Sequence, residues 1–246
     1  MKKTLVALTI TTVFTALPML SHAEDTNPLS FNLSLTSDYR YRGISQTRLD
    51  PALQGGADYA APNGLYVGTW LSTIRWINDA GGDADVEWDV YGGYKGALAN
   101  GLGYDVGVLA YQYPSNHLHP SADTTEVYGA LSFGPATVKY SHSVTNLFGF
   151  SDSKNSGYLD LSASFDLGGG FSLAPHVGYQ KVAHHSDASY TDYALTLSKE
   201  VAGFGLSAAV VGADTKRING VKAYASPANG KDLGRAGLVL AVRKTF

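Results

Sequence analysis

The sequence has no cysteine and only two methionines among 246 residues. Without cysteine there is no disulfide framework, and no thiol to carry a lipid anchor. Long apolar runs are also scarce. One, Leu5 to Leu20, follows the basic start Met1-Lys2-Lys3 and ends in the small-x-small pattern Ser21-His22-Ala23. It reads as a secretory signal peptide over residues 1–23, cut before Glu24. Beyond it the nearest candidate, Val201 to Ala213, is short and broken by three glycines, so a spanning helix is excluded there. Excess basic charge is missing too. The 18 Lys+Arg fall to 16 once Lys2 and Lys3 are removed, against 21 Asp+Glu, leaving a net charge of −5. A mildly acidic exported chain gives no footing for a nucleic-acid partner.

What the chain has in abundance is 28 glycines and 16 tyrosines, set in a pattern of period two. In residues 31–42, FNLSLTSDYRYR, the odd positions are mostly apolar or aromatic and the even ones polar or charged. Asp85-Val86-Glu87-Trp88-Asp89-Val90 alternates in the opposite parity, and Leu159, Leu161, Ala163, Phe165 and Leu167 form another stripe opposite Asp160 and Asp166. A helix would scatter these charges around its circumference, whereas a strand collects them on one side.

Turn signals divide the chain into twelve such segments, starting near Phe31, Ala52, Leu65, Asp85, Leu102, Asp123, Ala136, Ser156, Phe171, Tyr190, Phe204 and Gly234. Tight connections such as Pro62-Asn63-Gly64 and Gly134-Pro135 alternate with longer polar loops, of which Lys216 to Leu233 is the longest. The expected fold is therefore all-β: an up-and-down antiparallel transmembrane barrel of about twelve strands over residues 24–246, with short periplasmic turns and longer extracellular loops.

Orientation of the faces decides the function class. Tyr59, Tyr66, Tyr104, Phe133, Phe171 and Phe204 lie close to the tight turns, as an interfacial aromatic girdle would. Strands of about ten residues at ~3.3 Å each, tilted by roughly 45°, span about 25 Å, the height of an outer-membrane apolar band. The oily stripes are then expected to meet lipid, Tyr39 and Tyr41 among them, and the charges to face a water-filled lumen. The expected lining is Asp38, Arg40, Arg42, Asp58, Arg75, Glu87, Asp89, Lys95, Asp105, Glu126, Lys139, Asp160, Asp192 and Arg243. In the last segment Leu238, Leu240, Val242 and the terminal Phe246 share one parity, resembling the C-terminal recognition signal of bacterial outer-membrane barrels.

"SDYRYRGISQT", "DPALQGGADYA", "GLYVGTW", "VEWDVYGGYKG", "GLGYDVGVLAYQYP", "TEVYGALSFGP", "YLDLSASFDLGGGF", "PHVGY" and "YTDY" together resemble the TorF-type porins of proteobacteria, long catalogued as the conserved hypothetical Gcw_chp family. The likeness runs over nearly all of the exported chain. It implies an outer-membrane β-barrel with a channel role.

Partners expected on this reading are outer-membrane lipid and lipopolysaccharide, the barrel-assembly machinery acting on the C-terminal strand, and small polar solutes. No cofactor and no metal are expected. The loop pairs His117/His119 and His184-His185 read as solvated histidines, and no catalytic residues are assigned. In "YSHSV" the serines Ser141 and Ser143 alternate with His142, so no nucleophile–base pair forms within that strand. The alternative class is a closed structural barrel whose outer loops bind surface partners.

Overall fold

The computed structural model describes residues 27–246; the expected signal peptide, residues 1–23, lies outside them. Among the described residues twelve strands form the wall: β1 Leu29–Thr36, β2 Ala52–Ala60, β3 Leu65–Thr73, β4 Val86–Ala97, β5 Gly103–Gln112, β6 Thr124–Phe133, β7 Ala136–Ser143, β8 Gly157–Ala163 continued by Phe165–Gly168, β9 Phe171–Lys181, β10 Tyr190–Val201, β11 Phe204–Asp214 and β12 Gly237–Thr245. The twelve expected starts fall at these strands, the largest departure being Gly234 against Gly237.

Each strand pairs antiparallel with its sequence neighbours, and the ring closes where β1 meets β12, from Asn32 opposite Thr245 to Thr36 opposite Ala241. Closure leaves no free sheet edge. Mutual backbone hydrogen bonds between Phe31 and Phe246, at 3.1 and 2.9 Å, fasten the C-terminal residue to β1.

Burial follows the alternation. Along β1, Phe31, Leu33 and Leu35 lie on the outside and are half exposed, while Thr36 faces in and is 1 % exposed. Leu238, Leu240 and Phe246 also stand outside, at more than half exposure. The exterior is thus a continuous apolar band, inverted relative to a water-soluble barrel. Inside, tyrosines pack across glycines of neighbouring strands. A Cβ added at Gly107 would lie 2.6 Å from the Tyr128 hydroxyl, so glycine makes room for that ring.

The turns at one end are short and the loops at the other are long. The loops carry a four-residue helix, Trp76–Asp79, and two small hairpins, Arg40–Tyr41 with Ile44–Ser45 and Arg217–Ile218 with Val221–Lys222.

Candidate functional site

The first loop, residues 37–51, does not continue β1 as the alternation of Ser37 to Arg42 led one to expect. It turns inward at the long-loop end and enters the bore. Arg40 pairs with Ser45 and Tyr41 with Ile44 across a two-residue turn, Arg42-Gly43, whose φ angles of 46° and 78° are those of a type I′ hairpin. Glycine is required at position 43, because a Cβ there would meet the Asp192 Cβ at 2.7 Å and the Gly212 carbonyl oxygen at 2.8 Å. The tip therefore rests on β10 and β11, on the far side of the ring from β4.

This placement corrects the expectation for two aromatics. Tyr39 and Tyr41 do not lie on an outer face. Tyr39 is 2 % exposed inside the bore, edge-on to Trp70, and donates a hydrogen bond to Glu87 at 3.1 Å. The Tyr41 hydroxyl bonds that of Tyr111 at 2.6 Å. Burial, with the Glu87 and Asp89 carboxylates nearby, raises the Tyr39 hydroxyl well above the ordinary tyrosine range, so it stays a donor. Tyr66, expected in the outer girdle, also faces inward and bonds Asp105 and Tyr128. Once a loop fills the bore, tyrosine suits the interior as well as a lipid boundary, because its ring packs and its hydroxyl finds partners.

The charges of the loop are all engaged. Arg42 donates to both carboxylate oxygens of Glu126, at 3.0 and 2.7 Å, and to Gln180 at 2.6 Å, with its guanidinium 4.1 Å from the centre of the Tyr158 ring. Burial alone would lower the Arg42 pKa; Glu126 and the Tyr41 and Tyr111 hydroxyls outweigh it, and the guanidinium stays charged. Arg40 pairs with Asp38 and donates to the carbonyls of Gly43, Leu233 and Arg235. Asp38 accepts from Ser45 at 2.6 Å. The hairpin is thereby tied to β6, β9 and the last loop.

Of the strand residues expected to line the bore, Asp58, Glu87, Asp89, Lys95, Asp105, Glu126, Lys139, Asp160, Asp192 and Arg243 project inward on their strands. Asp58 accepts from Tyr91 at 2.6 Å, and Lys139 sits 4.1 Å over the Tyr128 ring. Lys95 lies 5.2 Å from the centre of the Tyr66 ring. Arg75 is a correction: it lies on the loop just before the short helix, more than half exposed, with its nearest acid Asp50 at 3.9 Å. Its strand, β3, ends at Thr73 before parity can reach it.

Several inward partners escaped the sequence reading. His176 bridges Asp160 at 3.0 Å and Asp192 at 2.8 Å, and Tyr158 donates to Asp192 at 3.0 Å. Gln180 holds Arg42. The alternation of β9 places His176 and Gln180 on the inward side, but neither residue type stands out from the neighbouring polar positions. His142 points outward from β7 while Ser141 and Ser143 are buried inward; its ring nitrogens reach Tyr140 at 3.5 Å and Asn155 at 3.3 Å.

The comparisons fit this architecture. Residues 21–246 match the family described as "Bacterial protein of unknown function (Gcw_chp)", and the chain belongs to that family. No curated protein matches it. Among solved structures it is similar to "KdgM porin", with a TM-score of 0.54 and 8 % identity over 89 % of this chain and 97 % of that one. It is also similar to "NanC porin structure in rhombohedral crystal form", with a TM-score of 0.52 and 10 % identity over 88 % and 98 %. At such identities the likeness concerns the fold: a closed antiparallel twelve-strand porin barrel.

Proposed function

We propose that this protein is an outer-membrane porin of the TorF type, a narrow channel for ions or small polar solutes, with its first outer loop seated in the bore. The carrying observation is the inversion of the two faces: apolar residues coat the outside of a closed barrel, and acids and bases ring the inside. Acyl chains suit the first surface and water the second. The long-loop end then faces the exterior and the short turns the periplasm. The porin barrels similar in fold support the channel reading.

Inside, both charge signs occur at close quarters, so any path is narrow and its polarity mixed. Rings of charge tune selectivity only where a path runs between them. The test is conductance of the purified protein in a planar bilayer: discrete steps are expected, increasing in size when the Arg42–Glu126 link is cut. Absence of steps in the native protein and in the unlatched variants alike would remove the channel reading.

The seated hairpin also favours a second reading, in which the barrel is closed and its outer loops bind surface partners. Under that reading unlatching the loop opens no current.

A further inference from the structure

Two buried acids stand side by side on β4. Glu87 and Asp89 are two residues apart, so their side chains leave the strand on one inward face, and they are 1 % and 3 % exposed. Glu87 Oε1 accepts the Tyr39 hydroxyl at 3.1 Å. Asp89 Oδ1 is enclosed with no hydrogen-bond partner, and the Tyr113 side chain, like Tyr39, reaches the Glu87 carboxylate. In the sheet, Glu87 stands opposite Ser72, and Asp89 between Trp70 and Tyr111.

Among the described residues, the titratable groups packed around the pair are tyrosines and one further acid. The first loop contributes Tyr39; β5 and the loop after it contribute Tyr111 and Tyr113; β6 contributes Glu126; β4 itself adds Tyr91. The cations Arg42 and Arg243 act on Tyr111 and Tyr91 rather than on either carboxylate. On β3 the neighbours Trp70 and Ser72 do not titrate. Arg42 is committed to Glu126 and Gln180, and Arg40 to Asp38. Two adjacent ionised carboxylates, enclosed and with an Asp89 oxygen lacking a donor, are strongly disfavoured, and a proton on the pair relieves both the repulsion and the desolvation. What makes the site dry is the loop that covers it.

We propose that Glu87 and Asp89 form a proton-binding pair capped by the first outer loop, so that seating the loop takes up a proton. With the loop withdrawn, water reaches both carboxyls and solvates their ionised forms. The seated state therefore binds more protons than the open one. Its stability is greatest at low pH and declines as pH rises through the range where the capped pair ionises. Acid closes the bore and alkali frees it.

Cysteine chemistry reads the loop directly, since the chain has no thiol of its own. Ser45→Cys places one on the hairpin at a site with 0 % exposure, and Ala228→Cys places a reference on an exposed loop. Labelling the full protein in detergent with a thiol reagent from acid to mildly alkaline pH, the ratio of the two rates cancels the pH dependence of the thiol itself. The ratio is expected to rise with pH, by up to about tenfold per unit for one linked proton. It should stay low and flat in the background Glu87→Gln with Asp89→Asn. Each single substitution should reduce the rise, which keeps the test alive if the double variant fails to fold.

A flat ratio in the native background, or a rise that survives the double substitution, overturns the proposal. No current is needed for this readout. A pH-dependent ratio in a protein that never conducts would therefore sink the channel reading and leave this one standing.

Discussion

The two ends of the bore use the same inward parity in opposite ways. Toward the short turns, charges meet tyrosines of the wall itself: Asp58 with Tyr91, Asp105 with Tyr66, Lys95 over the Tyr66 ring. The tyrosines are buried, but Asp58, Asp105 and Lys95 are only partly so. Toward the long loops, Glu87, Glu126 and Asp192 are almost wholly enclosed, because a hairpin from the first loop lies against them. The strands are alike in pattern at both ends. Burial, and with it the energy attached to each charge, is set by what enters from outside the wall.

That contrast can be broken most directly at Arg42. Replacing it by alanine leaves Glu126 buried without its partner, a loss of about 3–5 kcal/mol by the usual cost of orphaning a buried charge. The loop should unseat, and single-channel conductance should rise severalfold. Glu126→Gln, which removes the charge but keeps an acceptor, should give a smaller rise.

The outside of the wall gives the next largest effect. Val108 is half exposed on β5, near the middle of the apolar band. Arginine there should lower barrel stability in lipid by about 2–4 kcal/mol, read from denaturant unfolding in liposomes, with no change in conductance per folded channel. A neutral result would mean that this face does not meet acyl chains.

Gly43→Val adds a β-branched side chain at a positive φ and against Asp192. About 1–3 kcal/mol of strain is expected, falling on the seated loop rather than on the strands. Current should become noisier while unfolding of the barrel is unmoved.

The smallest effect belongs to the short-turn end. Lys95→Gln should change stability by less than about 1 kcal/mol, since Lys95 is only half buried. It should shift the reversal potential toward cations by a few millivolts if this end of the bore carries current. An unchanged potential would place the path away from β4.

Much of the wall was legible beforehand, for a local reason. Period-two alternation is a property of a few adjacent residues, so segments such as residues 157–168 and 190–201 announce both strand and face. Turn glycines then fix the ends, and the starts come within three residues. The same rule misled at Tyr39, Tyr41 and Arg75. Ser37 to Arg42 alternates as well as any strand, yet Gly43 with its left-handed φ turns the chain back on itself and seats it inside. Tyr66 differs: it lies close to a tight turn, as a girdle residue would, yet its side chain faces the bore and meets Asp105. His176 and Gln180 went unassigned because their roles exist only once Asp160, Asp192 and Arg42 arrive from other elements.

The sequence alone thus determined a barrel of twelve strands with an oily and an ionic face, because alternation and turn chemistry are written in neighbouring residues. Only the tertiary structure decided that the first loop lies within the bore, which carboxylates it covers and which of them it leaves without a donor. Those outcomes depend on contacts between residues scores of positions apart, such as Arg42 with Glu126 and Gln180, and no local pattern encodes such a meeting.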